Sequence, residues 1–160
     1  RVMGAQFSPA DGDSRLIYWR DVGGNEKIQL FLLDEENVET GLTSGHEHAM
    51  HIPGDWSADG TQILFAANRR NLGLFDLYLQ PLDGETRLVW ENPEPGFLAN
   101  LCFSPNGDRA AATLMSSSFS HHLFEVDLHS GTARRISPAF MITAFSRNSM
   151  TLLQARWISA

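Results

Sequence analysis

A short phrase, an aromatic residue followed by serine, recurs four times along the chain and constrains its fold more than any other feature. The aromatic residues are Phe7, Trp56, Phe103 and Phe145, and the intervals between them are 49, 47 and 42 residues. Periods of about 40 to 50 residues are typical of four-stranded propeller blades. Because the faces of such blades are covered by their neighbours, blades are stable when they stack around an axis. The repeat therefore predicts a β-propeller.

Within each repeat, runs of apolar and β-branched residues predict four strands. Asp83-Gly84 and Ser130-Gly131 provide tight turns before fourth strands, and no window sustains the apolar spacing of a helix. We therefore predict an all-β chain, with about three and a half propeller blades of four antiparallel strands each. The expected bounds are about 2–43 for blade 1, about 50–90 for blade 2, about 97–137 for blade 3 and about 140–160 for an incomplete blade 4.

Charge and composition exclude several kinds of partner. The 160 residues carry a formal net charge of −7 and no Lys/Arg-rich segment, so we do not expect nucleic acid as a partner. No apolar run approaches the roughly 20 residues that cross a bilayer, so we expect no membrane partner. Cys102 is the only cysteine, which fits a reducing compartment. We expect a cytoplasmic location, with the periplasm as the alternative, and no cofactor.

The order of features in the repeat carries a family resemblance. Each repeat begins with an aromatic-Ser-Pro-Asp/Asn-Gly phrase, which is followed by a β-strand and a polar loop. Next comes a strand with the pattern Leu-Tyr/Phe-x-x-Asp/Pro-Leu, and after an x-Gly turn the repeat ends in a strand with the pattern Arg-x-Leu/Ile-Thr/Ser. This order resembles the repeat of TolB-type propellers and of the amino-terminal propellers in the prolyl oligopeptidase group of serine peptidases. The resemblance covers nearly the whole chain. Since unrelated proteins share this repeat, it indicates blade packing more strongly than function.

The third strands, around 74–79 and 121–128, are similar to those of oligopeptidase propellers, whose parent chains end in an α/β-hydrolase domain. The resemblance implies a non-catalytic propeller segment of a dipeptidyl or acylaminoacyl peptidase-like enzyme, which limits access to the hydrolase active site to short peptides. The expected partners are the remaining blades and the hydrolase domain of a longer chain, or another copy of this chain, with peptides as further candidates. Two alternatives are a TolB-like scaffold that binds proteins and a metal-assisted propeller lyase.

The sequence predicts no catalytic residue in this chain. A nucleophile elbow requires Gly-x-Ser-x-Gly, because the serine must sit on a sharp turn between small residues. The nearest string, Gly41-Leu42-Thr43-Ser44-Gly45, places its serine one position late. Without a nucleophile, the Asp and His residues have no triad to join.

Three histidines between blades 1 and 2 form the one pattern that could carry chemistry. In an extended segment, His46 and His48 would point to the same side, and a bend near Pro53-Gly54 could bring His51 alongside them. Neutral imidazoles so placed could hold a divalent transition metal. We therefore treat His46, His48 and His51 as candidate metal ligands, with a solvated or hydrogen-bonding loop as the alternative.

Two arginines lie in the predicted loop between the second and third strands of blade 2. Arg69 and Arg70 are flanked by asparagines in the segment 68–71. A guanidinium there could bind a carboxylate through two hydrogen bonds, on a peptide substrate or on a neighbouring domain. We therefore treat Arg69 and Arg70 as candidate contact residues.

Overall fold

In the computed structural model, the structure describes residues 1–21 and 23–136. The predicted incomplete blade 4 and its repeat residue Phe145 lie outside the described residues. The strands of the described part are β1 (Val2–Phe7), β2 (Leu16–Asp21), β3 (Ile28–Leu33), β4 (Glu39–Gly41), β5 (His51–Trp56), β6 (Gln62–Asn71), β7 (Leu74–Pro81), β8 (Arg87–Trp90), β9 (Phe97–Phe103), β10 (Arg109–Ser117), β11 (Ser120–Asp127) and β12 (Ala133–Arg135).

Each group of four consecutive strands forms one antiparallel sheet, which is one blade. Within residues 1–21 and 23–136 there are three such sheets, with strand orders β1-β2-β3-β4, β5-β6-β7-β8 and β9-β10-β11-β12. We name them blade 1, blade 2 and blade 3. Blade 2 contacts blade 1 through β3 and β5, and it contacts blade 3 through β5 and β9. The prediction of an all-β partial propeller with four-stranded antiparallel blades is confirmed.

The recurring aromatic-Ser phrase builds the turn between the first two strands of a blade. In blade 2, the Oγ of Ser57 accepts a hydrogen bond from the backbone N–H of Gln62 at 2.9 Å. The N–H of Gly60 donates to the carbonyl oxygen of Ser57 at 3.0 Å, and the φ of Gly60 is 69°, which favours glycine. Ser104 and Gly107 repeat this arrangement in blade 3. In blades 2 and 3 the phrase is therefore a structural unit that fixes the start of the second strand.

The core lies between the blades. The cluster between blades 2 and 3 consists of Leu64, Ala66, Phe75, Leu77, Leu79, Val89, Trp90, Leu98, Leu101, Phe103, Ala110, Ala112, Leu114, Phe124, Val126 and Leu128. Two smaller clusters join blade 1 to blade 2, one around Leu30, Phe65 and Tyr78 and the other around Ile17, Trp56 and Ile63. Because blade 2 is covered on both faces, β6 and β7 are almost continuously buried.

The chain between blades 1 and 2 differs from the sequence expectation. We expected an extended segment, whereas residues 42–49 form consecutive turns. The N–H of His46 donates to the carbonyl oxygen of Thr43 at 3.2 Å, and the N–H of Ala49 donates to that of His46 at 2.9 Å. These local hydrogen bonds replace the strand, because no neighbouring strand pairs with this connection in the described part of the chain.

Candidate functional site

One end of the blades carries most of the residues that the sequence analysis singled out. We call this end the connection face; it is formed by residues 42–50, 72–73, 91–96 and 118–119, which link β4 to β5, β6 to β7, β8 to β9 and β10 to β11. The opposite end, which carries the aromatic-Ser turns, we call the turn face. At the connection face, the structure brings together His46, His48, His51 and Arg69.

His51 is the first residue of β5 and is fully buried between blades 1 and 2. Its Nδ1 lies 3.1 Å from the carbonyl oxygen of Ile28, and its Nε2 lies 3.0 Å from the Nε of Arg69. The guanidinium can only donate, so Nε2 accepts and Nδ1 carries the proton that Ile28 accepts. Burial first, and then the positive charge of Arg69, lower the pKa of His51 from 6.5 to about 3. His51 is thus a neutral imidazole with both nitrogens engaged.

Arg69 lies beside this histidine, on an aromatic platform. Its guanidinium carbon is 5.0 Å from the centre of the Phe65 ring and 4.9 Å from that of Tyr78, and the two rings stack 5.3 Å apart. Burial lowers the pKa of Arg69. One terminal nitrogen, Nη2, is buried without a hydrogen-bond partner among the described residues. No carboxylate within the described chain forms an ion pair with Arg69, and the faces of the two rings attract its guanidinium without neutralising its charge.

The other two histidines lie on the turns outside this buried pair. The rings of His46 and His48 are 6.0 Å apart and tilted by 55°. Burial and the nearby charge of Arg69 lower the pKa of His46, whereas His48 is exposed. The side chain of Glu47 is turned back to its own loop, where its Oε1 accepts the N–H of Gly45 at 2.9 Å.

The proposed three-histidine metal site is not assembled in this geometry. Within residues 1–21 and 23–136, no group of three or more His, Cys, Asp or Glu side chains is placed to hold a metal ion. Both nitrogens of His51 already have partners, so ligation would break a buried hydrogen bond. Metal binding that includes His46 and His48 stays a hypothesis.

Arg70 is adjacent in sequence to Arg69 but is engaged differently. Its Nη2 and Nε donate to the two carboxylate oxygens of Asp76, at 2.9 and 3.1 Å. Asp76 is fully buried and also accepts the N–H of Asn92 at 3.0 Å. The guanidinium of Arg70 therefore holds the start of the β8–β9 connection against β7. The two candidate contact arginines differ in that Arg70 pairs with a buried carboxylate, whereas Arg69 has a buried Nη2 without a hydrogen-bond partner among the described residues.

Three large apolar side chains project from the connection face of blades 2 and 3. Leu72, Phe97 and Phe119 are 69%, 52% and 76% exposed. The Phe97 ring packs 5.0 Å from that of buried Phe75, which fixes its position. The equivalent β2–β3 turn of blade 1 contains Gly23, Gly24, Asn25, Glu26 and Lys27 instead. These three exposed apolar residues thus all belong to blades 2 and 3.

Sequence reasoning missed the aromatic platform and Asp76. In the sequence, Phe65 and Tyr78 look like ordinary strand residues, because the sequence of one strand does not show which residues of the neighbouring strand lie opposite its own. A signal was present nonetheless, since Tyr18 and Phe31 precede Phe65 and Tyr78 by 47 residues each. Aligning the repeats would have shown an aromatic pair at the same position in two blades.

No family model matches the chain, and no curated protein is significantly similar to it in sequence. Among the described residues there is no helix long and apolar enough to cross a membrane.

Solved structures do match the fold. TolB from Acinetobacter baumannii is 18% identical with a TM-score of 0.61, covering 84% of this chain and 32% of that protein. Dipeptidyl peptidase 4 from Porphyromonas gingivalis is 15% identical with a TM-score of 0.63, covering 94% of this chain and 27% of the other. Prolyl oligopeptidase B from Galerina marginata is 16% identical with a TM-score of 0.55, covering 80% and 18%.

The chain spans about a third or less of the length of each of these proteins. At such low identity the likeness concerns the fold. The stacked four-stranded blades, the aromatic-Ser turn and these matches show that the chain has the propeller fold shared by TolB and the prolyl oligopeptidase group of serine peptidases.

Proposed function

We propose that this chain is a non-catalytic propeller segment of a serine oligopeptidase, which covers an α/β-hydrolase domain of a longer polypeptide and admits short peptides to it. The observation that carries the proposal is the match to dipeptidyl peptidase 4, in which 94% of this chain aligns with 27% of the other protein. The remaining length of such a protein has room for the catalytic domain that this sequence lacks. Cys102 is the one cysteine of the sequence, and burial raises the pKa of its thiol, which supports a cytoplasmic location as part of this proposal.

The connection face is the surface that we assign to the contact with the hydrolase domain. Its exposed Leu72, Phe97 and Phe119 are typical of the apolar centre of a protein interface. The turn face is instead mainly acidic around one cavity, which is lined by Arg15, paired with Asp13, and by five further carboxylates, Asp11, Asp34, Glu35, Glu36 and Asp59. An apolar surface gains more from burial against another domain than a surface rich in carboxylates does.

Arg69 is the residue that we assign to recognition of an acidic group, either on a peptide or on the neighbouring domain. Its guanidinium has donor capacity left and no acidic partner in the part of the chain that is described. A carboxylate at this position would accept hydrogen bonds from Arg69 and offset the cost of its burial. We do not assign this role to Arg70, since its guanidinium already pairs with the carboxylate of Asp76.

The test is peptide hydrolysis by the polypeptide encoded by the complete natural reading frame. We expect it to cleave short peptides and to spare a folded protein that contains the same cleavage site. Phe119→Asp should loosen the domain contact and increase cleavage of longer substrates, whereas Val38→Asp, on an exposed apolar residue of the turn face, should not. A polypeptide without peptidase activity would overturn the proposal.

A TolB-like scaffold that binds other proteins is the second candidate. The match to TolB from Acinetobacter baumannii and the same three exposed apolar residues favour it. The two candidates differ in what lies beyond the propeller, because a scaffold requires no hydrolase domain. Retention of a partner protein by the natural polypeptide, lost in the Phe119→Asp variant and accompanied by no peptidase activity, would favour the scaffold.

A further inference from the structure

We propose that Arg69, Tyr78 and His46 form one binding site for a carboxylate, and that a free acidic peptide, not a neighbouring domain, carries this carboxylate. This assignment rests on the acid recognition proposed above for Arg69. It adds two further donors to that residue and chooses between the two sources of the acid. The site lies at the connection face, where blade 2 meets blade 1.

Tyr78 carries a hydroxyl that blade packing does not require. In the strand registers of the other two blades, the equivalent residue is Phe31 in β3 and Phe124 in β11. Phe124 is 7% exposed and Tyr78 is 6% exposed, so a phenylalanine fills the same buried place in blade 3. The hydroxyl of Tyr78 is therefore available for a role other than packing.

This hydroxyl has no hydrogen-bond partner among the described residues, whereas the hydroxyl of Tyr18 donates to Glu39. It is open to solvent, because it is not one of the buried side-chain atoms of the described chain that lack a partner. Burial first, and then the charge of Asp76, raise the pKa of Tyr78, so the hydroxyl keeps its proton. It can therefore donate that proton to a ligand.

Arg69 is a second departure from the repeat at the same place. Its guanidinium carbon lies 4.9 Å from the centre of the Tyr78 ring, and its Nη2 has no partner among the described residues. Arg69 follows Phe65 by four positions, and the equivalent residue of blade 3, four positions after Ala112, is Ser116. Two polar side chains that the blade fold does not require thus lie side by side.

His46 is held beside this pair by a loop that is fixed at both ends. The buried side chain of Gln29 donates to the carbonyl oxygen of Ala49 at 2.9 Å and accepts the hydroxyl of Thr43 at 2.7 Å. Burial first, and then the nearby charge of Arg69, lower the pKa of His46. A neutral imidazole offers one N–H, which makes His46 the third donor of the site.

The donors of the site match a carboxylate, because no acid within the described chain satisfies them. Glu47 is turned back to the N–H of Gly45, and Asp76 pairs with Arg70. A carboxylate offers two oxygens that accept several hydrogen bonds, and a guanidinium is the donor that suits it best. A ligand cation would instead face the positive charge of Arg69.

The way in which Arg69 is held favours a ligand that binds and leaves. His51 and the Phe65 and Tyr78 rings keep its guanidinium in place with no acid present. Such preorganisation raises the affinity for an exchanging ligand, because less side-chain freedom is lost on binding. The exposed apolar residues that we assign to the domain contact belong to blades 2 and 3, whereas this site borders the polar loop from blade 1.

The test is calorimetric titration of the natural polypeptide, treated beforehand with a fluorophosphonate so that no peptide is cleaved. One peptide has blocked termini and a glutamate, and its counterpart has glutamine at that position. A third peptide, with glutamine and a free carboxyl terminus, tells a terminal carboxylate from a side-chain carboxylate. We expect at least one carboxylate peptide to bind about tenfold more tightly than the blocked glutamine peptide.

The variants are chosen to leave the fold intact. Tyr78→Phe should weaken binding of the carboxylate peptide about tenfold without changing the urea midpoint, and Arg69→Met should abolish the preference for the carboxylate. Tyr18→Phe is the matched control and should leave the affinity unchanged, since that hydroxyl lies on blade 1 and binds Glu39. His46→Ala should weaken binding several-fold, whereas His129→Ala, on an exposed turn, should not.

Equal affinity for all three peptides would overturn the free-peptide site. A preference for the carboxylate that Arg69→Met abolishes but Tyr78→Phe leaves unchanged would overturn the three-donor site and leave only the role of Arg69. Binding is measured without cleavage, so a natural polypeptide that lacks peptidase activity could still give the expected affinities. Failure of this inference is thus distinguishable from failure of the proposed function.

Discussion

Arg69 donates the hydrogen of its Nε to Nε2 of His51 across 3.0 Å, and this bond joins the ends of β6 and β5 next to blade 1. The Nδ1–H of the same histidine donates to the carbonyl oxygen of Ile28, so His51 also binds to blade 1. A residue that the sequence suggested as a metal ligand is therefore part of the contact between two blades. The consequences for stability can be measured directly.

Replacing His51 with alanine should destabilise the protein by about 2–4 kcal/mol, because it opens a cavity and leaves Arg69 Nε–H and the Ile28 carbonyl without their partner. His48→Ala is the matched control; since His48 is exposed, its effect should stay within about 0.5 kcal/mol. Urea unfolding of both variants measures the difference. Equal, small effects would contradict the interblade role of His51.

The stability should also fall as the pH falls, because the pKa of His51 is lower in the folded protein, about 3, than its ordinary value of 6.5. Between these values the unfolded chain binds a proton that the folded chain does not. The contribution of His51 is thus fully present above about pH 6.5 and declines by up to about 1.4 kcal/mol per pH unit below it. His51→Gln, which cannot titrate, should show a shallower decline in urea midpoint between pH 6.5 and pH 4; an identical decline would contradict the assignment.

The sequence predicted the repeat and its strands well because both depend on local patterns. The aromatic-Ser phrase at Trp56 and Phe103 marks the turns where they occur, and the alternation along β11 marks a strand. The fourth strand of blade 1 ends at Gly41, two residues before the expected end of the blade at about residue 43. Thr43 leaves the ladder because its hydroxyl bonds the backbone N–H of Leu30 and the side chain of Gln29.

The candidate site was harder to predict, because its residues meet across neighbouring strands. His51 and Arg69 are 18 positions apart, and their bond depends on the register of β5 on β6. Arg69 and Arg70 are neighbours in sequence, yet one lies on two rings and the other pairs with Asp76. Strand pairing decides these contacts, and no local pattern in residues 68–71 encodes it.

Gly54 is predicted to tolerate no side chain. A Cβ at this position would lie 2.6 Å from the carbonyl oxygen of Leu64 and 2.8 Å from the Cβ of Leu101. Gly54→Ala should therefore force β5 away from its neighbours and cost about 1–3 kcal/mol. Gly73→Ala is the matched control, since the nearest atom is 3.5 Å away and belongs to the Asn71 side chain. Thermal unfolding of both variants measures the effect, and a Gly54→Ala variant as stable as Gly73→Ala would contradict close packing here.

The serine of the aromatic-Ser phrase should contribute to stability where its hydroxyl accepts backbone hydrogen bonds, as Ser57 does in the turn between β5 and β6. Ser57→Ala removes the acceptor for the backbone N–H groups of Thr61 and Gln62, and we expect a loss of about 1–2 kcal/mol. Ser118→Ala, on an exposed hairpin residue, should be neutral within about 0.5 kcal/mol. Urea midpoints measure both. If the two variants are equally stable, the hydroxyl of Ser57 does not hold the turn between β5 and β6.

Arg70 and Arg69 should respond differently to the same substitution. Arg70→Met leaves the buried carboxylate of Asp76 without its ion-pair partner, whereas Arg69→Met removes a cation that has no acidic partner in the described chain. Arg70→Met should therefore lower the urea midpoint more. In the natural polypeptide, Arg69→Met should instead raise the KM for acidic peptides. A larger loss of stability in Arg69→Met, together with a raised KM in Arg70→Met, would contradict the roles assigned to the two arginines.

Labelling the natural polypeptide with a fluorophosphonate and mapping the modified residue tests whether this propeller segment serves a serine peptidase. We expect one labelled serine, within a Gly-x-Ser-x-Gly sequence outside residues 1–160, on a polypeptide that also contains this segment. A natural polypeptide that contains this segment and takes up no label would contradict the claim.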